Sequence, residues 1–135
     1  MEPKGGMSMD TFNPIDMGKR LLTLFFGAAD GLLYALIVVI ILDYVTGVCV
    51  AVHSGKLSST IGAKGIAKKV GIFALISVSH IIDTYLLKSS DAIRTVTTTF
   101  YISNEFLSIL ENATKLNLPL PEKLRAVLTS LYKEK

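Results

Sequence analysis

The chain has 135 residues, half of them hydrophobic, with a mean hydropathy of +0.51 and a net charge of +3. That hydropathy is high for a soluble domain and ordinary for a small membrane protein, and the length suits one domain. The lone Cys49 excludes an intrachain disulfide and a cysteine cluster for a metal.

Residues 1–16 are polar, include Gly5, Gly6 and Pro14, and read as a flexible tail. Met7 and Met9 follow Met1 closely, which suggests a second translational start. The added piece would carry Glu2 and Lys4, whose charges nearly cancel, and that weakens the idea. Residues 17–30 set Lys19 and Arg20 before a short apolar run. The run is too short for a signal peptide and a full span follows at once, so an interfacial or lead-in helix is expected.

Residues 31–52 hold one ionisable side chain, Asp43. A helix of that length reaches roughly 33 Å and crosses a hydrocarbon core of about 30 Å. This is the first expected span. A carboxylate within it is costly and marks a partner, water or a bundle interior. Gly47 and Ala51 follow Asp43 at four-residue spacing, which favours close helix packing.

Residues 53–66 are expected to form a turn-rich connector that stays in the cytoplasm, because His53 to Lys69 holds four lysines and no acid. Lys56, Lys64, Lys68 and Lys69 are expected at lipid head groups. They are too sparse to argue for nucleic acid. Gly62-Ala-Lys-Gly65 is too short for a phosphate loop. Residues 67–87 form the second expected span, with Ala67 and Gly71 as a small pair and His80 and Asp83 sharing a face. No Lys or Arg of this span is expected level with Asp43.

Residues 92–113 split at the helical period. Val96, Phe100, Phe106, Leu107, Ile109 and Leu110 form one face, and Thr97, Thr98, Tyr101, Asn104, Glu105, Ser108, Glu111 and Asn112 the other. A third span whose polar face meets water inside an oligomer is expected, with Glu105 level with Asp43. After Asn117-Leu-Pro-Leu-Pro121, residues 121–133 form a basic amphipathic helix. The basic loop and tail place the N-terminus outside and the C-terminus in the cytoplasm.

The fold class is therefore an all-α membrane protein. It has three transmembrane helices, an N-terminal interfacial helix and a C-terminal amphipathic helix. Asp43, His80, Asp83, Thr98, Tyr101, Asn104, Glu105, Ser108 and Asn112 are the candidates for pore lining or gating. Gly47, Ala51, Ala67 and Gly71 are the candidates for helix packing. No nucleophile sits beside a base and an orienting group, so no enzyme and no cofactor are expected.

Four segments resemble the bacteriophage holin family, which includes holin-like proteins linked to clostridial toxin secretion. They are Leu42-Asp-Tyr-Val-Thr-Gly47, residues 58–71, His80-Ile-Ile-Asp83 and Asn104-Glu-Phe-Leu-Ser-Ile-Leu-Glu-Asn112. The tail Leu118-Pro-Leu-Pro-Glu-Lys-Leu124 fits as well, and the resemblance covers roughly residues 31–130. It implies a protein that accumulates in the bacterial cytoplasmic membrane, oligomerises with itself and opens lesions for an endolysin or a toxin. An antiholin is a further partner the resemblance implies. A different class of function is a small accessory or scaffold subunit of a membrane channel or transporter, in which the acids serve helix packing.

Overall fold

The computed structural model describes residues 13–88 and 90–133. The tail of residues 1–12, with Met7 and Met9, lies outside the described residues. The described elements are helical, and each start has a local cause. α1 (Pro14–Phe26) begins with proline at its first position and Asn13 as cap, whose side chain accepts from Ile15 N at 3.0 Å. α2 (Gly31–His53) is capped by Asp30, which accepts from Leu33 N at 2.9 Å. α3 (Ser59–Ile81) is capped by Ser58 and runs on through a π-helical turn, Ile82–Leu87, to Lys88 in a left-handed conformation. α4 (Ala92–Lys115) and α5 (Glu122–Lys133) complete the chain.

Contacts fix the directions of the helices. Arg94 at the start of α4 meets Asp30 at the start of α2, and Asn112 near the end of α4 meets Thr46 in the second half of α2. α2 and α4 therefore run parallel. α3 runs against both, since Lys69 in its first half reaches Asp43 and Glu105, whereas Asp83 near its far end meets the start of α4. α1 lies against α3 through an edge-to-face pair of Phe26 and Phe73, 5.7 Å apart.

The bundle is inside-out. Its apolar core is small: Leu36, Ile40, Ile72 and Ile76, flanked by Phe26, Leu33, Phe73, Tyr101 and Ile102. Among the described residues six buried side chains are hydrophobic and six are polar or charged, the latter being Ser79, Asp83, Arg94, Thr98, Glu105 and Asn112. The outside carries Tyr34, Ile37, Ile41, Val45, Val70, Leu75, Val78, Val96 and Phe100. Water would not support that distribution, since large apolar patches stay exposed only where a non-aqueous partner covers them.

Two helical stretches, Gly31–His53 and Ser59–Leu87, are long and apolar enough to cross a membrane, rather than the three expected. α4 has the length but not the composition, because Arg94, Glu105, Glu111 and Lys115 interrupt it. The connector of residues 53–66 is also shorter than expected. Helix resumes at Ser59, because Ser58 caps it and the two glycines, Gly62 and Gly65, cost only about 1 kcal/mol each in a helix interior.

Candidate functional site

A polar seam runs along the inside of the bundle, and its centre is a triad. Lys69 Nζ lies 2.7 Å from Asp43 Oδ2 and also donates to Glu105 Oε2. One ammonium thus answers two carboxylates, one from each of the parallel helices. Asn112 extends the seam, donating to Thr46 Oγ1 at 3.0 Å and to Asp43 Oδ1 at 3.3 Å. Higher up, Ser79 and Thr97 share a hydrogen bond of 2.9 Å across α3 and α4. Thr98, fully buried, donates to the carbonyl of Arg94. In a low-dielectric interior each of these groups needs its partner.

The triad is not sealed. Below it α2 and α3 diverge and leave a cleft of about 710 Å³, whose floor is Asp43, Lys69, Ser108 and Asn112. Gly47 and Ala51 line the α2 wall, and Gly62 and Gly65 line the α3 wall.

A second cluster closes the opposite end. Arg94 is 1% exposed and spends its whole guanidinium on the α1–α2 link. It donates to Phe26 O at 2.6 Å, to Ala28 O at 3.0 Å and to Asp30 Oδ2 at 2.8 Å. Arg94, and then the Leu33 N–H, pull the Asp30 carboxyl down to about 2, against a smaller opposing effect of burial. Asp83 is fully buried and accepts from the backbone N–H groups of Ile93 and Arg94, at 3.1 and 2.7 Å. It therefore caps α4 from another helix, where Asp91, the residue at the cap position, makes no side-chain cap bond. His80 Nδ1 lies 3.5 Å from Asp91 Oδ1. Gly27 passes so close that a Cβ there would sit 2.9 Å from that same nitrogen, and its φ of +74 suits glycine.

The structure sorts the expected site residues. Asp43, Glu105, Ser108 and Asn112 come together around the triad and the cleft floor, and Tyr101 packs against the apolar core. Asp83 and His80 belong to the end cluster, and Asn104 is exposed. Ala67 and Gly71 face out of the bundle, and nothing lies within 4 Å of a Cβ built at Gly71. Lys56, Lys64 and Lys68 are exposed, but Lys69 is turned inward. The expectation that the second helix has no cation level with Asp43 is thus corrected. The helix begins earlier than the hydropathy suggests, so Lys69 falls inside it rather than at its margin. Of the polar face of α4, Thr98, Glu105 and Asn112 are covered by the chain's own helices, whereas Asn104 is exposed. Arg94 escaped the sequence reading entirely. Its signal was present as an arginine in the first turn of a helix at the end where Asp30, Asp83 and Asp91 gather. Among the described residues no group of three or more His, Cys, Asp or Glu is placed to hold a metal ion.

The profile of the bacteriophage holin family matches residues 20–133. An uncharacterised 14.9 kDa protein of Clostridium perfringens is 44% identical over 115 residues, covering 85% of this chain and 87% of that one. An uncharacterised protein of Listeria monocytogenes is 38% identical over 103 residues, 76% of this chain and 73% of that one. A probable holin of Bacillus phage phi105 is 33% identical over 86 residues, 64% of this chain and 63% of that one. No solved structure matches.

Proposed function

Because this chain belongs to the bacteriophage holin family, a family of non-enzymatic membrane proteins, we propose that it accumulates in the bacterial cytoplasmic membrane and oligomerises there. It then opens lesions through which an endolysin, or a secreted toxin, passes. The observation that carries this reading is the inside-out bundle with the Asp43–Lys69–Glu105 triad at its centre. A permanent anchor has no use for two carboxylates and a lysine in mid-membrane, where each is costly. A protein that must change from lipid-tolerant to water-lining does.

In this reading α4 crosses the membrane with α2 and α3. Its length of 24 residues and its course along α2 support that, and its charged face is covered while Val96, Phe100 and Phe106 face outward. The N-terminus lies outside. Lys56, Lys64 and Lys115, with the basic α5 that follows, lie toward the end where α2 and α4 finish, and such an end stays in the cytoplasm. In the resting bundle Thr98, Glu105 and Asn112 are satisfied within one chain. As copies accumulate, the seam opens, Lys69 parts from a carboxylate, and the polar face of α4 turns toward water held between copies. Hydration then replaces the ion pairs, so the polar groups are satisfied in both states.

Induced expression in bacteria that hold a cytoplasmic endolysin tests this. Sudden lysis after a delay is expected, together with release of the enzyme. Continued growth with the protein accumulated in the membrane would contradict the reading and favour an accessory subunit.

A further inference from the structure

The cleft below the triad has a use that the lesion does not supply. Its walls are Val48, Ala51, Ile61, Gly62 and Ile66, apolar or small, and Ser58 and Lys68 stand at its rim. The cleft of about 710 Å³ is open on one side, so when α2 and α3 span the membrane its apolar walls are covered by something from outside the chain. Charge selects what fills it. From His53 to Lys69 there are four lysines and no acid. Lys69 is taken by the triad. Lys64 and Lys68 are exposed and make no ion pair among the described residues. Lys68 lines the cleft, and Lys64 stands one turn nearer the start of α3, so their side chains can carry the charge toward the membrane surface. A second copy entering the same cleft by two-fold symmetry would bring this cationic rim against its own counterpart.

We infer that the cleft binds an anionic phospholipid of the leaflet on its own side. Lys68 at the cleft, with Lys64 one turn nearer the start of α3, holds the phosphate, and an acyl chain lies between Val48, Ala51 and Gly62. The inference rests on α2 and α3 spanning the membrane and not on lesion formation. The lipid would brace the half of the bundle where α2 and α3 make little direct contact, and would cover the partly open side of the triad.

The test uses the full chain reconstituted into bilayers of equal parts dioleoyl phosphatidylglycerol and dioleoyl phosphatidylcholine. The protein is then released in mild detergent, and co-isolated lipid is identified by native mass spectrometry. Retention of the glycerol lipid over the choline lipid is expected on the order of tenfold, from two lysines near the phosphate. Lys64→Gln with Lys68→Gln, both exposed, should bring the ratio back to that of the bilayer. Gly62→Leu occupies the cleft beside Tyr44, whose hydroxyl lies 3.7 Å from a Cβ at that position, and should lower retention of both lipids with helix content unchanged. Equal retention of the two lipids by the unaltered chain would overturn the inference. So would retention indifferent to the lysine pair, or Ala51→Cys cross-linking between copies in a Cys49→Ala background in place of lipid. Lysis is not read in this assay, so its failure and the failure of the holin reading are distinguishable.

Discussion

The two polar clusters use the same kinds of residue about 20 Å apart along α2, the rise over the thirteen positions from Asp30 to Asp43. They are built for different ends. At Arg94 the charges serve backbone: the carbonyls of Phe26 at the end of α1 and of Ala28, the first turn of α4 and the cap of α2 all depend on them. At Lys69 the charges serve one another and Asn112, and no helix terminus needs them. A cluster that satisfies main-chain groups cannot be dispensed with in any folded state. A cluster of side chains alone can be exchanged for water, so the triad is suited to open.

That contrast can be broken by substitution. The largest effect is expected for Arg94→Leu. It leaves Asp30 without its cation and the carbonyls of Phe26 and Ala28 unpaired, a loss of about 3–5 kcal/mol. The protein should fail to accumulate in the membrane, read by immunoblot, and unfold at a lower temperature in detergent. Lys69→Met should cost about 3 kcal/mol by leaving two carboxylates facing each other. Replacing the triad as a unit, Asp43→Leu with Lys69→Met and Glu105→Leu, should restore stability to within about 1 kcal/mol and abolish lysis. The matching replacement of Asp30, Asp83 and Arg94 should stay unstable, because the main-chain groups they served remain. Normal lysis by the triad-free chain would break the comparison.

The smallest effect is a pH dependence. The folded Asp30 carboxyl titrates at about 2 against an ordinary value of 3.8. Its pair with Arg94 therefore adds stability above pH 3.8 and loses it as pH falls toward 2. Thermal unfolding in detergent should show a gap between the unaltered chain and Asp30→Asn that is constant from pH 5 to 7 and closes below 3.8.

The elements were legible because their signals are local. Asp43 stood out in an apolar run, α4 showed its helical split, and Pro121 marked the break before α5. The start of α3 was written in Ser58, but hydropathy drew attention to the apolar stretch beyond Lys69 and hid it. The inward turn of Lys69 depends on where an antiparallel neighbour places Asp43 and Glu105, and no local pattern in one helix carries that register. Arg94 was illegible for a related reason. Two of its partners are carbonyls 66 and 68 residues away, which have no sequence signature, and the third, Asp30, is 64 residues away. The polar face of α4 was legible as a face, but the sequence does not show that within one chain Lys69 reaches Glu105 and that Asp43 and Thr46 accept from Asn112.

The claim that the seam is closed at rest and opens for lysis is tested most directly at Thr98. It is fully buried, lies between the two clusters, and carries neither charge. Thr98→Cys, in a Cys49→Ala background, should resist a membrane-impermeant methanethiosulfonate reagent while the protein accumulates and react within the lysis step. Phe100→Cys, on the outward face, should stay unreactive throughout. Protection of position 98 after lysis has begun, or its reactivity from the start, would contradict the account.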